Sequence, residues 1–380
     1  MNAKRALTRF RAPDEPGAQV RAWPAIRSAY QDRLPVAERR SYRRPASALA
    51  AGLVLLGALA LSPAGATVGH LISRALGVEH ASPALSSLPA PGRVLVSGPG
   101  GTWTVAPDGS ARRLGPWAQA SWSPHGLYVA VAGANGLTTV NPRGVPQWSL
   151  GRRRVSDPRW FSPSGYRVAY LSGTELRVVA GDGSGDGVLA AAVARVAPAW
   201  RPGRAYQLAY LTARGSLVVR DANSGRKLWS ARDGAVRELE WSADGQRLLA
   251  VSARAARIYT ASGRLLSTQA SPGGPILDGA LSPSGRRLAL VTGGVGGEVV
   301  VEGQQPQRVL AGAGLGQVAW SPNGRWLLIS WPAANQWVFV RVVGAPRIFA
   351  VSRIAQRFAA TARSGFPQLE GWCCTAAGAG

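Results

Sequence analysis

The sequence predicts an all-β fold, a seven-bladed β-propeller whose last blade is closed by N- and C-terminal strands, preceded by one transmembrane helix. Three observations predict it. A short phrase recurs about every 40 residues, each recurrence is followed by short apolar runs between glycine-containing turns, and a run without charge stands near the N-terminus.

The phrase reads Trp122-Ser-Pro-His-Gly126, Phe161-Ser-Pro-Ser-Gly165, Trp200-Arg-Pro-Gly203, Trp241-Ser-Ala-Asp-Gly245, Leu281-Ser-Pro-Ser-Gly285 and Trp320-Ser-Pro-Asn-Gly324. Its anchors lie 39, 39, 41, 40 and 39 residues apart. In each period an apolar anchor ends one strand and the S-P-x-G phrase makes a turn. A second strand follows, such as Arg247-Leu-Leu-Ala-Val251. Further turns, such as Asp182-Gly183 and Ser262-Gly263, separate a third and a fourth. Four antiparallel strands make one blade.

The ends supply the seventh. Residues 93–118 hold three strands without an anchored first one, and Gln368-Leu-Glu-Gly-Trp372 supplies it, matching Arg237-Glu-Leu-Glu-Trp241. Such closure leaves no free sheet edge. The last interval, from Trp320 to Trp372, is 52 residues, so 351–366 should form an added loop or short helix. The recurring Trp122, Phe161, Trp200, Trp241, Leu281, Trp320 and Trp372 are expected to be blade anchors in the core rather than platforms for a ligand.

No charged residue occurs from Pro45 to Gly69, and a helix through Val68 would span roughly 35 Å at about 1.5 Å per residue, enough for a bilayer core. Basic residues crowd 39–44 immediately before it, which puts the N-terminus in the cytoplasm and the propeller outside. The rival is a cleaved secretory signal ending at Ala64-Gly65-Ala66. A 44-residue leader is long for that, so an uncleaved anchor is expected. The domains read as a basic cytoplasmic tail over 1–44, the transmembrane helix over 45–69, a linker over 70–92, the propeller over 93–374 and a disordered tail over 375–380.

In the tail, Trp23, Ile26, Tyr30 and Leu34 recur at intervals of three, four and four, one face of a short amphipathic helix. It could dock a cytoplasmic partner or lie on anionic lipid.

The chain carries a formal net charge of +25, and its lysines are Lys4 and Lys227, so arginine supplies nearly all of the excess. Such a surface attracts anions. Apart from Arg39–Arg44 and Arg152–Arg154 the basic residues are scattered one or two at a time and form no obvious stripe, which makes the charge a weak guide to partners; nucleic acid is not the expected one.

The S-P-x-G phrase followed by R-x-L-A-x-V resembles the TolB-like and WD-repeat propellers of bacteria, over roughly residues 93–374. That resemblance implies scaffolding or envelope interaction through loops on one propeller face. Anchor plus propeller looks like membrane-anchored propeller proteins of Actinobacteria. Tail, span and outer domain together also resemble the layout of membrane-bound anti-sigma regulators, which would make a sigma factor the cytoplasmic partner, although no zinc-binding His/Cys motif accompanies it.

Enzymatic readings find less. Val219-Arg-Asp-Ala-Asn-Ser-Gly225-Arg-Lys-Leu-Trp229 is similar to the tryptophan-docking repeat of quinoprotein dehydrogenases, and those enzymes carry a vicinal disulfide, as Cys373-Cys374 could form. Only Asn141–Trp148 offers a second, distant match, so no pyrroloquinoline quinone or other cofactor is expected. His125 stands alone in the propeller, on a turn, and no phosphate loop, G-x-S-x-G or metal-spaced cluster occurs. A propeller hydrolase would need carboxylates converging on the central channel. The expectation is a non-enzymatic module that binds a protein or an anionic envelope polymer.

Overall fold

The computed structural model describes residues 87–374 apart from 99, 204, 272, 273 and 360–364. The proposed transmembrane helix, the tail residues Trp23, Ile26, Tyr30 and Leu34, and the end 375–380 lie outside the described residues. Among the described residues no helix is long and apolar enough to cross a membrane.

Seven four-stranded antiparallel sheets are present, and in six of them the strands lie in chain order. Blades 1 to 6 occupy 119–151, 155–190, 199–232, 236–270, 276–311 and 318–352. In the seventh, Gln368–Cys373 pairs antiparallel with Arg93–Gly98, setting Val94 against Trp372 and Val96 against Leu369. The ring is therefore closed by joining the two ends of the domain, as the repeat count requires. The packed domain begins slightly before residue 93: Leu88 donates its N–H to Pro107, and Ala90 is buried.

The S-P-x-G phrase works through its serine. Ser123, Ser242, Ser282 and Ser321 each accept on Oγ the backbone N–H of the residue five positions on, at 2.9 to 3.1 Å. The glycine closes the turn onto the serine carbonyl, as Gly126 does to Ser123 at 2.9 Å, with φ near +66°. Between turns the second strands run through the core: Leu248, Leu249 and Ala250, or Leu327, Leu328 and Ile329, are 0–1% exposed. Burial of this kind, at about 25 cal/mol per Å² of apolar surface, holds blade to blade. The fourth strands are the outermost, and Lys227–Arg232 has only exposed and half-buried positions.

The long last interval holds a short helix, Ile354–Arg357, whose Ile354 and the following Phe358 are buried beside Trp337. Cys373 and Cys374 are joined by a disulfide.

Candidate functional site in the central channel

The anchors end the first strands and pack toward the preceding blade. Trp122, Trp200, Trp241, Leu281, Trp320 and Trp372 are all buried there. Trp200 and Trp320 also donate their indole N–H to Arg159 and Ala280 carbonyls of the preceding blade, at 3.0 and 2.9 Å. In blade 2 the place belongs to Trp160, not Phe161. The strand Val155–Trp160 ends one residue earlier, and eight positions, rather than the seven of blade 1, separate Trp160 from its partner Val168. Phe161 is buried against Trp200 of blade 3 instead.

The first strands of six blades, with residues 195–197 leading into that of blade 3, surround a cavity of about 690 Å³. Its wall carries Asp157, Glu238, Glu240, Asp278 and Glu370 together with Arg159, Arg195 and Arg237. The convergence of carboxylates that a channel enzyme would need is thus present, and it needs a cause.

The cause is the sheet edge. A first strand pairs with its own blade on one side only, so N–H groups on its inner edge lack a ladder partner. Side chains of the preceding blade reach across to them. Glu240 accepts the Leu281 N–H at 2.7 Å, Asp278 the Val318 N–H at 2.7 Å and Glu238 the Gly279 N–H at 3.3 Å. The amides Gln119 and Gln317 do the same for Asp157 and Leu369, both at 2.8 Å. Glu370 closes the belt by accepting from Ser97 and from the Ala120 N–H.

Crowding in the channel wall disfavours charge on these groups. Burial pushes the Glu240 carboxyl up to about 8, with the Leu281 N–H pulling the other way. Glu238 is raised well above its ordinary range, first by burial and then by Asp278, with which it shares a hydrogen bond; burial lifts Asp278 to about 6. Glu370 is raised by burial too, against the pull of Arg159. All four are half-buried in the channel wall. Neutral acids beside guanidinium groups can donate and accept hydrogen bonds or pass a proton. Among the described residues no group of His, Cys, Asp or Glu is arranged to hold a metal ion. His125 is exposed on its turn.

The fragments similar to a tryptophan-docking repeat fasten blades together. Trp229 donates to the Ala261 carbonyl of blade 4 at 2.9 Å, and Trp148 to the Gly181 carbonyl of blade 2 at 2.8 Å. Each indole lies against the turn glycine beyond, Gly263 or Gly183, where a Cβ would come within 2.7 or 2.8 Å of the ring. The disulfide lies at the opposite end of the first strands from Arg237, and the Cys374 sulfur is 3.3 Å from the Pro124 carbonyl.

Sequence reasoning missed the channel belt, although a signal for it exists. Gln119, Glu238, Asp278 and Gln317 each stand three residues before an anchor.

No protein-family model and no curated protein matches the chain. Among solved structures it is similar to the β-propeller domain of Cps50 (Swd1) from Myceliophteria thermophila. The TM-score is 0.53 at 17% identity, over 66% of this chain and 96% of that one. Hydrazine synthase of Kuenenia stuttgartiensis matches with a TM-score of 0.45 at 15% identity, over 59% of this chain and 76% of that one. At these identities the resemblance is one of fold alone, and the fold is the seven-bladed β-propeller.

Proposed function

We propose that the chain is a non-enzymatic binding module, tethered outside the membrane by the helix expected over 45–69, that holds a macromolecular partner on one propeller face. One observation carries this reading. Glu238, Glu240 and Asp278 each hold an edge N–H of the next blade, so the channel carboxyls have a structural task that accounts for their convergence. The seven-bladed fold is consistent with such a module, since its loops project from a rigid ring. Gly92 and Cys374, near the two ends of the described domain, lie on the S-P-x-G side: Gly92 is beside Pro322, and Cys374 beside Pro124.

A second reading rests on the tail. The spacing of Trp23, Ile26, Tyr30 and Leu34 suits a docking helix, which would make the propeller the input of a transmembrane sensor acting on a cytoplasmic partner such as a sigma factor.

Crosslinking and recovery of the full-length chain from its own membranes, beside a chain lacking residues 1–44, tests both. The same envelope partners with either chain support the binding module. A cytoplasmic partner lost with the tail establishes the sensor. If neither chain retains a partner, the binding reading falls.

A further inference from the structure

The fold gathers the Arg152–Arg154 run with basic residues that are far from it in the sequence. On the face opposite the S-P-x-G turns, Arg153, Arg154, Arg195, Arg214, Arg232 and Arg254 are all exposed. They belong to the loops and strand ends of four consecutive blades, 1 to 4. These segments adjoin one another around the ring. Arg154 donates to the Ala134 carbonyl of blade 1 at 3.2 Å, Ala213 of blade 3 to that of Ala192 in the segment leaving blade 2 at 2.7 Å, and within blade 3 Arg232 pairs with Ser216. None of the six guanidinium groups forms an ion pair or side-chain hydrogen bond among the described residues.

The acidic residues of these segments are already engaged. Asp233 is 1% exposed, its carboxylate held by Arg257 and by the Tyr259 hydroxyl at 2.8 Å. Glu175 pairs with Arg177 at 2.9 Å. The opposite face differs, because its turns interleave Asp108, Asp221 and Asp244 with Arg226, Arg264, Arg286 and Arg325. One face therefore presents a crescent of a single sign, and the other a mixture.

The crescent also lacks the apolar centre that a folded protein partner would require. The exposed large apolar side chains lie outside blades 1 to 4 of this face: Leu127, Val145 and Tyr166 on the S-P-x-G face, Leu277 and Val295 on the same face but in blade 5, Val188, Leu265 and Leu266 on outer strands. What remains is charge without an apolar anchor, presented by arginine, whose planar fork matches phosphate oxygens two at a time.

We infer that this crescent is a docking surface for a linear phosphate-bearing polyanion, laid along the loops of blades 1 to 4. The inference rests on the binding-module reading and names its face and ligand class. A flexible phosphate chain needs no shape complementarity, only a track of cations whose binding releases counterions.

The test uses the full-length chain in neutral phosphatidylcholine nanodiscs, with long-chain inorganic polyphosphate as the probe. One variant combines Arg153→Gln, Arg154→Gln, Arg214→Gln and Arg254→Gln. A second combines Arg226→Gln, Arg264→Gln, Arg286→Gln and Arg325→Gln, removing the same charge from the other face. The crescent variant should lose at least about tenfold in affinity and lower the slope of log K against log salt by about 3, roughly 0.7 per phosphate contact. The control should stay near wild type. Equal loss in both variants means that net charge alone attracts the polymer, and overturns the inference. No polyphosphate binding also overturns it, as does crescent-dependent binding seen only with phosphatidylglycerol vesicles or only with polyglutamate. If membrane crosslinking still recovers an envelope partner in any of these cases, the binding-module reading survives and only the ligand assignment fails.

Discussion

Glu240 of blade 4 holds the backbone N–H of Leu281 in blade 5 at 2.7 Å, across the inner edge of two sheets that share no strand pairing there. A propeller brings seven such edges around one channel, and here polar side chains satisfy several of them from the neighbouring blade. The acceptors are carboxyls in blades 4, 5 and 7 and amides in blades 1 and 6. Both kinds offer an oxygen, so an inner-edge amide can be satisfied with or without an ionisable group.

That equivalence makes Glu240→Gln informative. In the fold the Glu240 carboxyl is pushed up to about 8 from an ordinary 4.5. Between these values the folded chain binds more protons than the unfolded one, so this group makes stability fall as pH rises from about 4.5 to about 8. Gln keeps an acceptor for the Leu281 N–H and removes the titration. The variant should match wild type within about 0.5 kcal/mol at pH 5 and exceed it by about 1–2 kcal/mol at pH 9, a gain moderated by channel water. Urea unfolding at both pH values measures this. An equal difference at pH 5 and pH 9 would show that Glu240 is not held neutral.

The turn serines predict a uniform cost. Ser321 is fully buried and accepts the buried Trp326 N–H at 3.0 Å. Ser321→Ala leaves that donor unmet and should cost about 1–2 kcal/mol in chemical unfolding. Exposed Ser284→Ala, in the same kind of turn, should be near neutral. Equal effects would mean that the phrase acts through turn propensity rather than through the serine acceptor.

Blade 3 is pinned to blade 4 by Trp229 over Gly263, whose φ is +90°. Gly263→Ala introduces a Cβ that meets the indole at 2.7 Å on a backbone that disfavours it, and should cost about 2–3 kcal/mol. Gly225, also at positive φ but with open space around it, should cost less on the same change. Thermal unfolding of the two variants separates contact from backbone strain.

The blade count and the closing strand were legible because the S-P-x-G phrase specifies local hydrogen bonds, those of Ser123 to Tyr128 and Ser242 to Arg247 among them. Local chemistry repeats in sequence wherever it repeats in space. The anchor of blade 2 was misplaced by one residue because two aromatics, Trp160 and Phe161, stand side by side, and only the strand pairing distinguishes them. The channel belt and the arginine crescent were hidden for a different reason. Glu238 meets Asp278, and Arg154 meets the Ala134 carbonyl of blade 1, only after successive blades are set around a ring. That step depends on inter-blade packing rather than on any period of the chain.

Closure itself can be tested at Trp372. Its indole packs edge-on to Phe339 of blade 6, with ring centroids 5.7 Å apart, while its strand pairs with Arg93–Gly98. The residue thus joins the last strand both to the preceding blade and to the N-terminal strands of its own. Trp372→Ala should cost about 3–5 kcal/mol, as large-to-small changes in a packed core do. A chain ending at Pro367 should fare worse, because it exposes the inner edge of Arg93–Gly98 as well as the apolar side of blade 6. An uncovered edge beside apolar surface invites pairing with another chain, so this protein should self-associate as well as melt earlier. Size-exclusion chromatography with calorimetry distinguishes the two effects. A monomer that unfolds in one transition near the wild-type temperature would mean that blades 1 to 6 hold the ring without the closing strand.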